Sequence, residues 1–499
     1  MKIIQKFNPI NIILLFFALI YIFLPTNNST GDAYLYAYTI KYGRELFFPH
    51  HLLYNAFGYL LFNLCQTFSC FSDTLGFMKI VNAIAAVLCL IIFKYILMEL
   101  NKSKSEIFAL LIFCGSSFGF MRFATENENY ILPIVFSLWA SYYLLKFSSN
   151  NKRYRIVFSG LLAALACLFH QIHFFWWLGL LGIVVSFRNL KLFLLFTIPA
   201  FVVPIAYMLV IKFYNKNDLG ISSIIKFIFH DYYTGDAKTD ISGLNFLLTP
   251  VSFIRTFFQV HGLMATLLKK NIYYYFVIAL SIFFLIIAFL QKKIVRKKNV
   301  IQYANYLYGH FAIFSLQLLF AFYSVGNAEF MVMLPVLLVL SMTLYFTLNT
   351  RTVFFLGLSM LLWNLNFGLF ANHFYKLNCS AEITKTIFSH PDDLFILVNK
   401  SEIYNEYLYR YGIDPKNIES CPSKYISDIK FIGKLKIELT NTLTTGNKVC
   451  TDCVGNKKVL TRATIVYSHS DSAFFKNYKL DTLFNFQYLH GRYQLFIVR

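Results

Sequence analysis

Charged residues are scarce in this 499-residue chain, at 14% of the sequence, whereas hydrophobic residues make up 58%. A soluble globular domain carries about 25% charged residues. With a mean hydropathy of +0.57, the composition therefore excludes an ordinary soluble protein. Basic residues outnumber acidic ones, 45 to 24, but they are not gathered in one basic domain as in a nucleic-acid-binding protein. The chain is predicted to be a multi-pass membrane protein that does not bind nucleic acid.

Other features are missing from the sequence as well. There is no small-residue cleavage pattern before Thr26, so the first apolar run is expected to stay in place as an anchor. There is no internal repeat and no low-complexity linker. Cys450 and Cys453 have the spacing of a redox or metal pair, but no second such pair and no histidine pair at zinc spacing accompanies them. A structural disulfide is favoured, either between these two or with Cys379 or Cys421.

Long apolar runs occupy the first three quarters of the chain. A membrane-spanning helix needs about 20 apolar residues. Runs of about this length lie near 9–25, 76–98, 107–121, 130–147, 156–171, 172–187, 192–213, 271–290, 303–324, 330–348 and 352–371. The predicted fold is an all-α polytopic membrane domain over residues 1–371 with about eleven transmembrane helices.

The connectors between these runs differ in charge. Lysine and arginine are concentrated in the connectors that follow Leu100, Asn150, Phe187 and Leu290, which lie on the same side as the N-terminus. Cytoplasmic loops carry such an excess, so this side is predicted to be cytoplasmic. The remaining connectors and the tail then face outwards. The expected location is a bacterial plasma membrane, with the functional side facing the periplasm or the exterior.

The tail, residues 372–499, has the pattern of a small soluble α/β domain. "DDLFILV" from Asp392 predicts a short buried strand, and "SEIYNEYLYRYG" predicts a helix with a cap at Ser401 and a glycine stop. "FNFQYLHGRYQLFIV" predicts a hairpin that turns near His490 and Gly491.

Ionisable residues recur in the outer connectors, at the ends of separate apolar runs. They are Asp32, Glu126, Glu128, His170, His173, His230, His261 and Glu329. Such groups at membrane depth are costly and tend to be functional. The mid-span sequence is largely apolar, apart from Gln317 and Asn364, which disfavours a transporter. One alternative stays open for Asp32, because it could merely cap the helix of "AYLYAYTIKY", with the tyrosines as an interfacial belt.

The segment "GDAYLYAYTIKYG" places an acid, Asp32, just beyond the first anchor. Together with the polar outer loops and the outer tail, this resembles the GT-C superfamily of integral membrane glycosyltransferases, which includes protein mannosyltransferases and aminoarabinose transferases. "FFPHHLLYN" and "ATENENYILP" resemble segments of bacterial members. Ala33 follows Asp32 where the family commonly has an Asp-Glu doublet, so no subfamily is assigned. The resemblance implies a polyprenyl-phosphate-linked sugar donor, membrane lipid around the chain, and a glycan, lipid or protein acceptor.

Sugar transfer from a lipid phosphate needs a base for the acceptor hydroxyl, and a single displacement inverts the anomeric centre. Asp32 is the predicted base, with Glu126 and Glu128 as further catalytic candidates. The departing phosphate needs cations, for which Arg44, Arg122, Arg255, Lys269 and Lys270 are available. The full set of predicted substrate-binding residues is Arg44, Tyr36, His51, Arg122, His170, His173, Arg255 and Glu329.

The sequence gives little information about cofactors. No cofactor is required by these residues, and a divalent metal, held for instance by Glu126 and Glu128, stays open. His50 and His51 are adjacent and are not expected to form a metal site by themselves. Tyr34, Tyr36, Tyr232 and Tyr233 could stack on sugar rings.

Two other functions are considered. A polysaccharide polymerase or ligase would also use lipid-linked sugars on the outer face, and a transporter is the non-enzymatic alternative. The outer segment from Tyr214 to Asn271, without obvious regular structure, is expected to lie along the interface beside the lipid-donor entrance.

Overall fold

A computed structural model describes residues 8–68, 73–234, 241–260, 263–291, 295–296, 303–347, 349–425, 428–454, 471, 473–489 and 491–499. The chain divides into two compact units. The first, called the membrane unit, contains the chain up to Thr26 together with Gly43–His373. The second, called the tail unit, contains Asn27–Tyr42 and Phe374–Arg499. The segment Asn27–Tyr42, which carries Asp32, therefore belongs to the tail unit.

The membrane unit is built from apolar helices. Within the described residues, six are long and apolar enough to cross a membrane: Thr74–Glu99, Ile131–Asn150, Leu190–Tyr214, Tyr273–Leu290, Ala304–Tyr323 and Thr350–Phe374. A bent pair, Lys104–Gly115 and Phe118–Ala124, adds a seventh if it is one span. Shorter apolar helices are Pro9–Phe23, Tyr154–Phe169, Gln171–Ser186 and Glu329–Met342. Every predicted run thus contains an apolar helix, and the number that cross the bilayer stays a prediction.

Several of these helices are interrupted. Leu190–Tyr214 consists of Leu190–Thr197, a 3₁₀ turn Ile198–Phe201, Val202–Leu209 and a π turn Val210–Tyr214. Thr350–Phe374 consists of Thr350–Asn364, a π turn Leu365–Phe370 and Ala371–Phe374. The 3₁₀ turns Gln171–His173 and Glu329–Met331 precede the helices Phe174–Ser186 and Leu334–Tyr345. Short strands Val295–Arg296 and Phe346–Thr347 pair antiparallel.

Side-chain caps explain where many helices begin. The Asn8 side chain accepts a hydrogen bond from Ile10 N, and Asp73 accepts from Leu75 N and Gly76 N. Ser103 and Glu106 form a reciprocal capping box. Each cap satisfies amide groups that have no partner inside the helix.

The bend between Lys104–Gly115 and Phe118–Ala124 measures 69°. The Ser116 hydroxyl donates to Ile112 O at 2.6 Å and to Gly357 O at 3.0 Å, while the Ser117 hydroxyl donates to Cys114 O at 2.7 Å. Serine side chains that bond to preceding carbonyls compete with the helical ladder and bend it. The bend precedes the polar loop that contains Glu126 and Glu128.

The outer segment from Tyr214 to Asn271 differs from the prediction because much of its described part is helical. Its helices are Ile221–Ile228, His230–Thr234, Gly243–Phe257 and Leu263–Lys270. Outside this segment, the membrane unit has a further short helix, Tyr54–Gln66. Ile221–Ile228 and Gly243–Phe257 are shorter than a full span. Their exposed apolar side chains, such as Ile221 at 79% and Phe246 at 67%, agree with a position along the interface.

The tail unit combines helices with a sheet. The helices are Gly31–Tyr42, Ser380–Ser389, Lys400–Tyr411 and Ile429–Thr444, with a 3₁₀ turn Pro422–Tyr425; the strands are Leu394–Leu397, Ile418–Ser420, Val449–Thr451, Leu480–Tyr488 and Gly491–Val498. In the described residues, Leu394–Leu397 pairs parallel with both Ile418–Ser420 and Val449–Thr451, and Gly491–Val498 pairs antiparallel with Val449–Thr451 and Leu480–Tyr488.

The predicted buried strand and the hairpin are confirmed in the tail unit. His490, in the hairpin turn, lies outside the described residues. The predicted serine cap is wrong: the helix starts at Lys400 with Asn399 at its N-cap, and Ser401 is already helical. Gly412 does end this helix, with φ at +70°, a conformation that favours glycine.

Helices cover both faces of the tail sheet. Phe395 and Leu397 point to one side, where they pack with Ile383 and Ile403. Leu394 and Ile396 point to the other side with Leu435 and Leu439. This alternation is expected for a strand buried on both faces. Cys421 and Cys453 form a disulfide beside the second cluster, which selects one of the pairings left open by the sequence.

Candidate active site

Asp32 lies in the first turn of the tail-unit helix Gly31–Tyr42. The cap of this helix comes from Thr30, whose hydroxyl accepts a hydrogen bond from Ala33 N at 3.1 Å. Asp32 is exposed to solvent. A carboxylate near a helix N-terminus is stabilised by the helix dipole, but here it is not the capping residue. The capping explanation for Asp32 is therefore replaced by a cap at Thr30.

The start of this helix is held closely against the helix Lys400–Tyr411 of the same unit. A Cβ placed on Gly31 would lie 3.0 Å from Glu402 Cα and 3.2 Å from Glu402 Cγ. The Asn405 side-chain amide donates to Gly31 O at 3.1 Å. Only glycine allows this approach without a shift of one helix. The contact fixes the position of the residue that follows, Asp32, relative to Glu402.

The neighbourhood of Asp32 is acidic. Glu402 has solvent access, yet partial burial raises its pKa, and the negative charges of Asp32 and Glu406 raise that pKa further. Glu406 is fully buried and accepts two hydrogen bonds from Arg410, at 2.7 and 2.5 Å. Because Arg410 compensates Glu406, the interacting acids with access to solvent are Asp32 and Glu402.

The tyrosines of this helix are used mainly for packing. Tyr36 is 8% exposed. Tyr34 lies 5.7 Å from the ring of Tyr409, and Lys41 sits 5.2 Å above the Tyr409 ring. The predicted sugar-binding role of Tyr36 therefore finds little accessible ring surface in this structure. Arg44, another predicted binding residue, follows the helix in an exposed turn of the membrane unit.

Glu126 and Glu128 lie in the membrane unit, in the loop after the bent helix, and each is 3% exposed. The Asn82 amide donates to the backbone carbonyls of both residues at 2.7 Å. Asn127, between them, accepts from the Tyr54 hydroxyl at 2.9 Å. This loop is thus tied to the helices Thr74–Glu99 and Tyr54–Gln66 through buried hydrogen bonds.

Lys79 is a functional candidate that the sequence analysis missed. It is buried, its ammonium group donates to Thr26 O at 2.7 Å, and it lies 3.8 Å from a Glu126 oxygen. Asn82 is three residues further along the same helix, so both side chains face the same loop. A lysine inside the apolar run 76–98 was the available signal, because charges are rare in spanning segments.

Two of the predicted histidines meet at the adjoining loop of the membrane unit. The rings of His51 and His170 are 6.5 Å apart, and their side chains are 1% and 6% exposed. Gln171 N donates to His50 O at 2.9 Å, which joins the two loops. Burial lowers the pKa of His51, which lies outside the apolar runs, and the neighbouring histidines His50 and His170 lower it further.

Glu329 belongs to the same cluster through Tyr130. The Tyr130 hydroxyl donates to Glu329 Oε2 at 3.0 Å, and its ring lies 5.0 Å from that of His170. The predicted residues His51, His170 and Glu329 are thus brought together, although they are separated by almost 280 positions (329 − 51 = 278). Three segments that are far apart in the sequence therefore meet at these residues within the membrane unit.

The other predicted residues are more dispersed. His173 bonds through Nδ1 to the Ser137 hydroxyl at 2.7 Å. His50 pairs with Asp231 at 3.4 Å. Arg122 and Arg255 are half-buried on the helices Phe118–Ala124 and Gly243–Phe257. The positions of the remaining candidates are as follows: His230, Lys269 and Lys270 are exposed, Tyr232 and Tyr233 are exposed, and His261 lies outside the described residues.

The membrane unit also has mid-span polar contacts that the sequence analysis overlooked. His310 is fully buried, with Nδ1 2.7 Å from Tyr306 O and Nε2 2.9 Å from the Ser141 hydroxyl. Trp176 Nε1 donates to the same hydroxyl at 2.9 Å. Since a carbonyl oxygen only accepts, Nδ1 carries the hydrogen. Each of these groups is matched, as in polar contacts that join spanning helices, so they do not favour transport.

A metal site is not evident in the described part of the chain. The group of three potential ligands within reach of one another there is Cys421, Asp452 and Cys453, and its two cysteines are disulfide-bonded. Metal dependence therefore stays open.

No protein-family model matches this chain, and no curated protein matches it. Solved structures that are similar over most of their length include two crystal structures of one protein. They are ArnT from Cupriavidus metallidurans in the apo state, with a TM-score of 0.41 and 10% identity, and the same protein bound to undecaprenyl phosphate, with 0.43 and 11%. Each comparison covers 98% of this chain and 97% of ArnT. Because both TM-scores are below 0.5, this likeness carries no argument about activity.

Proposed function

We propose that this chain is an integral membrane glycosyltransferase that transfers a sugar from a polyprenyl-phosphate-linked donor to an acceptor on the extracytoplasmic side, with inversion. Asp32 acts as the general base. The observation that carries the proposal is the state of Asp32 in the tail unit: it is exposed, Thr30 takes the capping role, and Glu402 is its acidic neighbour. Because Asp32 is exposed to solvent, an acceptor hydroxyl can reach its carboxylate.

The chemistry assigned to Asp32 is simple. The acceptor hydroxyl loses its proton to the Asp32 carboxylate while its oxygen attacks the anomeric carbon. The bond from that carbon to the phosphate oxygen breaks, and the phosphate keeps the electron pair. Attack on the side opposite the leaving group inverts the anomeric centre, and general-base assistance is typically worth about 10² to 10⁴ in rate.

The role of Glu402 is to set the proton affinity of the pair. Two interacting carboxyl groups lose their protons in two steps, and the first loss makes the second less favourable. Glu402, with its raised pKa, is the member that holds its proton longer. Asp32 is proposed as the member of the pair that accepts the proton of the acceptor.

Cationic residues of the membrane unit are proposed to bind the phosphate of the lipid donor. The phosphate gains negative charge as the sugar leaves, and a buried ammonium group offers a stronger interaction than one in water. Lys79 is buried and already lies among oxygen atoms of Thr26 and Glu126. Arg122 and Arg255 are the further cations of this unit proposed for the donor.

Glu126 and Glu128 are proposed to position groups and not to accept the proton. Both are almost fully buried, and the loop that carries them is fixed by Asn82. Because Lys79 balances the charge of Glu126, this carboxylate maintains the lysine's orientation. Should Asp32 prove structural, these two glutamates are the runner-up bases.

The proposal is tested by single-turnover transfer with the purified protein in lipid nanodiscs. Polyprenyl-phosphate monosaccharides, radiolabelled in the sugar, are offered with a membrane extract as the source of acceptor. We expect label to move to an acceptor, with the anomeric configuration opposite to that of the donor. Retention would contradict the single displacement. A parallel experiment uses the protein in proteoliposomes. If the label crossed their bilayer while still linked to the lipid, the protein would be a transporter.

A further inference from the structure

The tail-unit helix Ile429–Thr444 has an apolar face that the tail core does not use. Leu435 and Leu439 are buried against the sheet, and Phe431 and Leu443 pack beside them. The opposite side is exposed, but it is not uniformly polar. Ile429 is 85% exposed and Ile437 is 62% exposed.

The two isoleucines belong to one stripe. Ile429, Gly433 and Ile437 are spaced by four residues, so they lie above one another on one face of the helix. Scattered apolar residues on a surface are normal. Two large ones aligned along the same helix face, with a glycine between them, form a continuous apolar strip.

Gly433 adds an independent observation. A Cβ at this position would meet no atom within 4 Å, so the glycine is not required for packing inside the chain. Glycine in an exposed helix interior is less favourable than alanine. The missing side chain lets an external surface approach the helix backbone between the two isoleucines.

Lysines flank the strip on both sides. At 100° per residue, Lys430 and Lys434 lie on one flank and Lys436 lies on the other, and all three are exposed. Lys434 also pairs with Glu438 at 3.3 Å, whereas Lys430 and Lys436 have positions open to solvent. Apolar residues in the centre with lysines at the edges are typical of helices that lie flat in the interfacial layer of a membrane.

We propose that this face of the helix Ile429–Thr444 docks on an anionic lipid surface. Ile429 and Ile437 enter the boundary between headgroups and acyl chains, and Lys430, Lys434 and Lys436 contact the lipid phosphates. Lipid is the favoured occupant because the lysine flanks complement anionic headgroups and because the chain carries apolar helices that hold it in a bilayer. The docking is independent of the sugar-transfer proposal.

The test uses the full chain in nanodiscs that hold one copy each. Ile437 is replaced by a fluorescent amino acid, and quenching by lipids with a nitroxide near the headgroup is measured. The matched control is the same replacement at Ile413, which is also in the tail unit and is 58% exposed but lies outside the helix. Discs contain either phosphatidylcholine alone or a mixture with phosphatidylglycerol.

We expect strong lipid quenching at position 437 in the phosphatidylglycerol discs, weaker quenching in phosphatidylcholine, and little at position 413. The double change Lys430→Gln and Lys436→Gln should lower the ratio of docked to undocked helix by about fivefold per lysine, since a lysine near an anionic surface contributes about 1 kcal/mol. Equal quenching at 437 and 413 would overturn the proposal. The proposal would also be overturned if the fluorophore at position 437 became shielded from solvent only in discs with two copies. A second copy of the chain would then cover this face.

Discussion

The two units of this protein use acidic residues in opposite ways. In the tail unit, Asp32 is exposed, and the charged group that interacts with it is a second acid, Glu402. In the membrane unit, Glu126 and Glu128 are buried, and Glu126 lies beside Lys79. A buried charge is stable only with a partner, and that partner limits the reactions in which it can take part. This difference is the reason why proton transfer is proposed for the acid of the tail unit and positioning for the acids of the membrane unit.

Removing the buried cation should have the largest effect on stability. Lys79→Met leaves Glu126 buried without its cation, which is expected to cost about 3–5 kcal/mol in the free energy of unfolding. The measurement is unfolding in mixed micelles, followed by tryptophan fluorescence. Lys94→Met, in the same helix but only partly buried, is the matched control and should cost far less.

A compensating change separates charge from packing at this position. If the cost of Lys79→Met comes from the unpaired carboxylate, adding Glu126→Gln should recover much of the lost stability. Failure of the double variant to regain any stability would mean that Lys79 acts through its contact with Thr26 and not through Glu126.

The buried His51 should make the membrane unit sensitive to acid. Burial lowers the pKa of His51 below the ordinary value of 6.5, so folding favours its neutral form. This stabilisation is fully present above pH 6.5 and is lost as the pH falls towards the folded-state value. Replacing His51 with phenylalanine should flatten the fall in unfolding free energy below pH 6.5. An unchanged pH dependence would show that this ring does not titrate in this way.

The cap of the Asp32 helix is expected to matter moderately. Thr30→Ala should destabilise the helix Gly31–Tyr42 by about 1 kcal/mol, whereas Thr30→Ser keeps the hydroxyl and should be nearly neutral. Hydrogen exchange of the amides of this helix provides the measurement. If Asp32→Ala, which removes the carboxylate, caused the faster exchange instead, Asp32 would be the cap after all.

The smallest expected effect concerns the acidic pair. Folding raises the pKa of Glu402, so its ionisation disfavours the folded state, and the associated stability is present at low pH and lost as the pH rises through the raised value. Glu402→Gln should therefore match the wild type below the ordinary glutamate value of 4.5 and become relatively more stable as the pH increases. A variant that is less stable than the wild type at pH 7 would contradict the repulsion between Asp32 and Glu402.

Local patterns in the sequence predicted many elements of this structure and some of the contacts in it. The apolar runs and the strand from Leu394 could be identified because their hydrophobic pattern is local. The neighbour of Asp32 could not, because Glu402 is 370 positions away (402 − 32 = 370) and the contact depends on tertiary packing at Gly31. Lys79 was visible in the sequence, but its buried pairing with Glu126 appears only when the loop after the bent helix is in place.

The central claim is that Asp32 accepts the acceptor proton, and the most direct measurement is the single-turnover rate of sugar transfer by Asp32→Asn. Asparagine has nearly the same size but does not accept a proton at neutral pH, so the rate should fall by about 10² to 10⁴ while donor binding and folding are retained. The matched variants Glu126→Gln and Glu128→Gln should bind the donor differently but keep more of the chemical step. Transfer by Asp32→Asn at near wild-type rate, or a loss confined to one of the glutamate variants, would contradict the account and move the base to the membrane unit.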